Sequence, residues 1–382
     1  MGKIEIDHTG SGGGITLSSD GTSLLLGGTA IGGSALELYA ENPSSPTAPS
    51  ATGTNAVAIG SNASASAANA FSAGLNANAI GLNSTAIGRN ATARGQESIS
   101  LGGYSYVETY STLAVALGKS YASGTDSLAA AIGNNTSTYG ATGANSIAIG
   151  YQAKTLGAQG LALGAYSQAA QTEAVALGGG YAQGVKSISI GSSSHATSTY
   201  GCAVGYDTTA VGSALALGTT ANAQAAYSTA IHRSKAEQQG KIAFSGIFFG
   251  TIGDAQGGSF VLVADTTDAT ATVLTGNNGT ASSTNQIVAA SDTCITFDGT
   301  ITAMQNGAQA YASWKIEGLL VNDGGTTTLA NSATTVIQNL SSWGMALSAD
   351  NTNNALAITV TGEAAHNIRW VANIRTTEVT YA

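Results

Sequence analysis

Cleavage of a glycosidic bond needs two carboxylates about 5–9.5 Å apart, so the acids are the first residues to place. Five lie between residues 51 and 233: Glu97, Glu108, Asp126, Glu173 and Asp207. They occupy different phases of the local pattern, mostly in separate coils; Glu108 and Asp126 are nearest in turn number, and neither has a basic or histidine companion in phase. Further on, Asp265 with Asp268 and Asp292 with Asp298 form acid pairs beside turn signals. Turn chemistry accounts for them, with a calcium site as the alternative. His195, His232 and His366 stand apart from any Ser/Asp or Cys/Asn constellation, and Cys202 and Cys294 fit no CxxC or zinc spacing. The expectation is a protein that is not an enzyme and carries no metal or cofactor.

Tyrosine is the one unevenly distributed side chain with binding chemistry. Eleven of fourteen fall between Tyr104 and Tyr227: Tyr104, Tyr106, Tyr110, Tyr121, Tyr139, Tyr151, Tyr166, Tyr181, Tyr200 and Tyr206, then Tyr227. Tyrosine offers rigid amphipathic contact area with a hydrogen-bonding tip. Two readings stand. The rings clamp neighbouring coils or seal between subunits, or the ten from Tyr104 to Tyr206 form a ladder of platforms for host glycans or a neighbouring fibre.

What positions these residues is a repeat. From Ala56 to His232 the phrase small–apolar–small–apolar–glycine recurs thirteen times, as in AVAIG ending at Gly60, STAIG at Gly88 and SIAIG at Gly150, at steps of 13 to 17 residues. A fixed period of this kind means stacked coils. Two places before each glycine stands Ala or Ser without exception, including Ala58, Ser72, Ala86, Ser100, Ala116 and Ala131. One place before stand Ile59, Ile87, Leu101, Leu117, Ile132, Ile149, Leu163, Leu177, Ile190, Val204, Leu217 and Ile231, with Ala73 the exception. Neighbours in a strand point to opposite faces. The Ala/Ser column therefore belongs inside a narrow coil, and the aliphatic column faces out as a seam. Nothing else in 55–233 has the helical period to cover it, and exposed apolar rows of this length aggregate or associate. Three identical chains packed along the seam are expected, against the alternative of a monomeric β-helix with the aliphatics inside.

Composition bounds the rest. Of 382 residues only 9% are charged while 43% are hydrophobic, with 51 glycines and net charge −9. Disorder needs low apolar content as well as low hydrophobic patterning, and nothing here is basic enough to track nucleic acid. No stretch approaches the ~20 apolar residues of a spanning helix, so membrane insertion is not expected. MGKIEIDHTGSGGG lacks the apolar run of a secretory signal, which points to synthesis in the cytoplasm. Residues 1–40 read as a small β-element of short strands, and 41–54, with all three prolines, as a semi-rigid spacer. Residues 55–233 are the roll and 234–240 a charged, helical hinge. Residues 241–382 carry about ten short alternating strands between Gly/Asn turns, the pattern of a β-sandwich or jelly roll, whose core holds Trp314, Trp343 and Trp370. The fold class is all-β.

Two resemblances add to this. Asn145-Ser146-Ile147-Ala148-Ile149-Gly150 and Gly191-Ser192-Ser193-Ser194-His195-Ala196 resemble the two halves of the repeat in the YadA-like head of trimeric autotransporter adhesins. That resemblance implies a left-handed parallel β-roll, three rolls side by side and, at ~4.8 Å per strand, a rod of roughly 60 Å. The coiled-coil stalk of those adhesins has no counterpart here, since no sustained heptad appears. WKIEGLL around Trp314, NIRWVANIRTTEVTYA near the C-terminus and HTGSGGGITLSSDGTSLLL near the N-terminus resemble pieces of marine bacteriophage fibre proteins. That resemblance implies a homotrimeric virion fibre, joined to other virion proteins through residues 1–40 and contacting a host glycan or protein through its C-terminal domain. The alternatives are a capsid- or tail-decorating fibre and a bacterial surface adhesin.

Overall fold

The computed structural model describes residues 47–133, 137–307, 310–339 and 343–381 in full, together with the backbone of five short strands before residue 47. Four of these, Ile4–Ile6, Ile15–Ser19, Leu24–Leu26 and Thr29–Ile31, pair antiparallel in sequence order. The fifth, Glu37–Leu38, pairs in parallel with Val57–Ile59. The rest of the 1–40 element, with its attachment role, and residues 41–46 of the expected spacer lie outside the described residues. No helix occurs among the described residues. The chain divides into two compact units, 1–159 and 160–382.

In the first unit the repeat folds as parallel coils, each with one three-residue and one two-residue strand. Val57–Ile59, Phe71–Ala73, Thr85–Ile87, Ile99–Leu101, Val115–Leu117, Leu128–Ala130 and Ile147–Ile149 stack in register as one sheet. Ser50–Ala51, Ser64–Ala65, Asn78–Ala79 and Thr92–Ala93 begin the second sheet. Two sheets this close leave room mainly for small side chains between them. Ala58, Ala86, Ala116 and Ala148 from one sheet, and Ala65, Ala79, Ala93 and Ala122 from the other, are fully buried. Some of the hydroxyls inside the coils are paired: Ser100 Oγ lies 2.7 Å from Ser105 Oγ, and Thr155 Oγ1 donates to Ser146 Oγ at 2.9 Å. Glycine is needed where coils touch, since a Cβ on Gly81 would overlap the carbonyl oxygen of Gly95.

The second unit repeats the arrangement. Leu161–Leu163, Val175–Leu177, Ile188–Ile190, Cys202–Tyr206, Leu215–Thr219 and Thr229–His232 form the three-residue-strand sheet, some strands lengthened. Gln168–Ala169, Tyr181–Ala182, His195–Ala196, Thr209–Ala210, Asn222–Ala223 and Lys235–Ala236 form the other.

Both expected borders of the roll move outward. Within the proline spacer, Ser50–Ala51 is a strand on Ser64–Ala65, because Ala51 continues the column of small interior residues. The expected hinge is another coil, not a helix. Ser234 is buried and its Oγ bonds the carbonyls of Ile231 and Ala243. Ala236 fills the interior, and Lys235 and Glu237 alternate outward as a 2.6 Å ion pair. SKAEQQG keeps the repeat's small-x-small phase, and its charges hide that phase from a composition reading.

Ten strands follow: β1 (Ile242–Ser245), β2 (Ala255–Thr266), β3 (Thr272–Val273), β4 (Ile287–Val288), β5 (Thr293–Gln305), β6 (Tyr311–Asp323), β7 (Thr326–Asn339), β8 (Gly344–Asp350), β9 (Ala355–Thr361) and β10 (Ile368–Thr380). β1 ends the roll, pairing in parallel with Thr229–His232, and on its other edge starts an antiparallel sheet with β2. That sheet runs β2-β10-β5-β6-β7. A smaller sheet centres on β9, with β8 on one edge and β3 and β4 sharing the other. The two sheets enclose one core of Phe260, Phe297, Ile316, Ile358, Trp370 and their neighbours, which makes this a β-sandwich. All three tryptophans are in it, with Trp314 and Trp343 rings 5.8 and 5.7 Å from that of Trp370. β5 runs unbroken through Gly299. There a Cβ would overlap the Asn373 carbonyl on β10.

Candidate interaction surface

The surface begins with which way three residues point. In each three-residue strand the central Ala or Ser is inward, so both flanking residues must face out. The third-position column is the expected seam: Ile59, Ile87, Leu101, Leu117 and Ile149 in the first unit, and Leu163, Leu177, Ile190, Val204, Leu217 and Ile231 in the second, are all half-buried or exposed. A first-position column, the other apolar place of the repeated phrase, runs beside it. It comprises Val57, Phe71, Ile99, Val115, Leu128 and Ile147, then Leu161, Val175, Ile188 and Leu215. Each unit thus shows a two-wide aliphatic strip with coils ~4.8 Å apart, larger than the patches a monomer ordinarily leaves in water.

Ile132 is the exception among the expected seam residues. Ala129, not Ala131, pairs with Ala116 below and with Ala148, nineteen residues on. This coil is therefore longer than the fourteen-residue norm. The extra chain turns Ile132 into the interior, where it is fully buried and its N–H donates to Ser120 Oγ at 3.2 Å. Counting back from Gly133 misplaced the frame, because here the glycine no longer follows the strand directly.

The ten candidate tyrosines do not form one ladder. Tyr106, Tyr121 and Tyr181 sit on the two-residue strands, each stacked against a neighbouring ring. Tyr106 stacks on Tyr121 at 5.5 Å and is covered by Arg94 at 5.4 Å, while Tyr181 stacks on His195 at 5.0 Å. These are coil clamps, not platforms. Tyr104, Tyr166 and Tyr206 lie in or beside the turn after the three-residue strand, as does Tyr151. Tyr110 and Tyr200, like Tyr227, belong to the opposite turn. All seven are exposed, and the Arg89 guanidinium lies 4.7 Å from the Tyr104 ring centroid. Tyr139 is half-buried in the long coil.

Those turns carry a feature that the fourteen-residue reading passed over. Asn55, Asn62, Asn69, Asn76, Asn83 and Asn90 recur every seven residues with φ of 55–58°, a left-handed backbone that asparagine tolerates best after glycine. Their side chains bond upward from coil to coil, Asn62 to Asn76 at 2.8 Å and Asn76 to Asn90 at 3.0 Å on one edge. On the other edge Asn69 bonds to Asn83 at 2.9 Å. Each coil is two seven-residue half-turns.

The acids are committed locally. Glu108 accepts from the Thr109 N–H at 3.1 Å and from the Tyr121 hydroxyl at 3.0 Å, and these bonds hold its carboxyl below the ordinary range. Burial, helped by the Glu108 carboxylate, pushes the Tyr121 phenol up to about 12. Glu173 lies 3.7 Å from Lys186. In the sandwich, Asp265 accepts from Asn278 at 3.0 Å and pairs with Arg369 at 3.4 Å, while Asp298 pairs with Arg375. Asp268 accepts the Thr270 N–H at 2.7 Å and Asp292 the Gly324 N–H at 3.2 Å. Among the described residues no three acid, histidine or cysteine side chains gather as a metal site. Burial raises the Cys202 thiol, which keeps it from acting as a thiolate at neutral pH. At one end of the sandwich, Asp265, Thr267, Met304, Asn306, Asn367 and Arg369 line an open groove of about 570 Å³.

Six stretches of the chain match the YadA head domain repeat: residues 51–77, 79–105, 141–167, 156–180, 182–213 and 212–231. The interval 106–140 falls outside the matches and includes the start of the long coil. No curated protein matches the chain. Parallel coils with a small-residue interior and an aliphatic outer face coincide with the matched stretches, which are similar to YadA-type head repeats and fold as a β-roll.

Proposed function

We propose that the protein is a homotrimeric, adhesin-like fibre in which the roll is the assembly module and the sandwich is the contact module. The observation that carries this reading is the pair of aliphatic columns on the outer face of the three-residue strands. Burying one such side chain is worth roughly 1.5–3 kcal/mol, and a strip of them needs a matching surface, which identical chains supply at no extra design cost. YadA-like heads are trimers of this kind, which supports the count of three.

The finer reading is a bacteriophage tail fibre exposed on the virion, attached through residues 1–40 and touching the host surface through residues 241–382. The amide- and carboxylate-lined groove between Asp265 and Arg369 has the chemistry to hydrogen-bond a glycan there. On this reading the work is binding and not catalysis. The experiment is electron microscopy of phage particles labelled with an antibody against residues 241–382. Label at the free ends of tail appendages is the expected result. Label on the capsid would replace the tail-fibre reading with a decorating fibre, and label on bacterial cells without phage would favour a surface adhesin.

A further inference from the structure

Between the roll and the sandwich, the loop from Gly246 to Asp254 holds its apolar side chains in water. Phe249 is 81% exposed and Ile247 64%, and no charged residue occurs from Ile242 to Gly253. A slack loop of this composition would fold its aromatics back onto the protein. This one is braced. The Asp254 carboxylate, itself only 5% exposed, accepts the N–H groups of Phe249 at 2.9 Å, Gly250 at 2.6 Å and Thr251 at 2.8 Å. Ser245 Oγ lies 2.6 Å from the carbonyl oxygens of both Ile247 and Ala255.

The strand that leads into the loop continues the aliphatic columns. Ile242 and Phe244 stand in parallel register with Thr229 and Ile231, at the first and third outward positions of one more coil, and both are exposed. We infer that this braced loop is the closing part of the assembly interface, with Phe249 and Ile247 packed against a second copy of the chain where the columns end. The inference rests on the trimer reading and goes beyond it, since the matched head repeats stop at residue 231. The columns fix the axial contact of identical strands, whereas a projecting aromatic loop fixes which copy sits beside which at the sandwich end. A second copy is favoured over a lipid surface because the loop follows directly on the strand that continues the columns, which must be covered in any case.

The test uses the full chain with Cys202→Ala and Cys294→Ala, carrying Phe249→Cys or, as an exposed control in the Asp350–Ala355 turn, Thr352→Cys. Mass in solution is measured by light scattering, and each thiol is timed against a water-soluble maleimide. A packed interface excludes water from its centre, so residue 249 should label about tenfold or more slowly than residue 352 in a three-chain assembly. Equal labelling in a three-chain assembly overturns the loop contact and leaves the trimer standing, whereas a single-chain mass overturns both. Because Phe249→Cys could itself loosen the contact, Ile247→Ser with Phe249→Ser is the second variant. Its assembly should dissociate at a protein concentration at least about tenfold higher than the parent's, one decade in equilibrium constant being the least the loss of two apolar anchors should cost. An unchanged midpoint would overturn the inference. So would co-sedimentation of the parent protein, but not of this variant, with vesicles of phosphatidylglycerol and phosphatidylethanolamine.

Discussion

Lys241 and Glu378 show how single residues hold the end of the roll to the sandwich. Their side chains meet at 2.7 Å, 4% and 7% exposed, and the same carboxylate accepts from Gln256 at 2.8 Å and Thr376 at 2.6 Å. Removing one partner of a buried pair strands the other charge, which typically costs about 3–5 kcal/mol. Glu378→Gln should therefore lower the denaturant midpoint of the chain far more than Glu317→Gln, whose pair with Lys315 is in water. Equal effects would show that the buried pair is not holding that junction. Titration gives a second check. The Tyr121 phenol ionises near 12 when folded and near 10 when unfolded. Between those values the unfolded chain has lost a proton that the folded chain keeps, so stability falls as pH rises through this window. Ultraviolet titration should show the latest-ionising tyrosine disappear in Tyr121→Phe. Asp254 runs the other way. Burial raises its carboxyl, but three backbone donors outweigh that and hold it low, so the support it gives the loop is present at neutral pH and lost on acidification. Hydrogen exchange at Phe249, Gly250 and Thr251 should accelerate in acid relative to intrinsic rates.

At the scale of the coil, inner and outer positions of one strand should respond in opposite ways to opposite changes. Ala86 is sealed between the sheets, so Ala86→Leu overpacks it, at a typical cost of 1–3 kcal/mol, roughly, or more where the backbone cannot shift. Ile87→Ser leaves the coil intact and removes part of the strip, so it should weaken assembly with little change in circular dichroism. The turns add a third measurement. Asn76→Ala puts a Cβ without a local hydrogen bond into left-handed backbone, at about 1–2 kcal/mol, and breaks the ladder to Asn90, whereas Asn76→Gly keeps the backbone and loses only the ladder. Thermal melts should rank Gly above Ala. This is also where sequence and structure part company most instructively. The inward Ala/Ser column was legible because thirteen coils impose the same steric limit. Ile132 was not, because a longer coil breaks the link between glycine and strand. The seven-residue asparagine period is half the period of the apolar positions, so the fourteen-residue hydrophobic pattern does not reveal it. The tyrosines could not be sorted by counting, because the same residue type serves as a stacked clamp at Tyr121 and as an exposed turn residue at Tyr200.

For the whole molecule, the central claim is that the aliphatic columns are an interface between identical chains. The charge balance agrees with it, since residues 51–233 carry five acids and six bases and so little net repulsion between copies, while eleven of the twenty-one acids lie in 234–382. The sandwich needs no such partner to fill its core, where Trp314, Trp343 and Trp370 already pack together. Assembly should therefore depend on the roll. The most direct measurement is the solution mass of the full chain by size-exclusion chromatography with light scattering, beside a variant carrying Ile87→Ser, Leu101→Ser and Leu117→Ser. The account predicts three chain masses for the parent and a shift toward one for the variant. A parent that is a stable, soluble single chain at micromolar concentration, with its strips open to water, would contradict it.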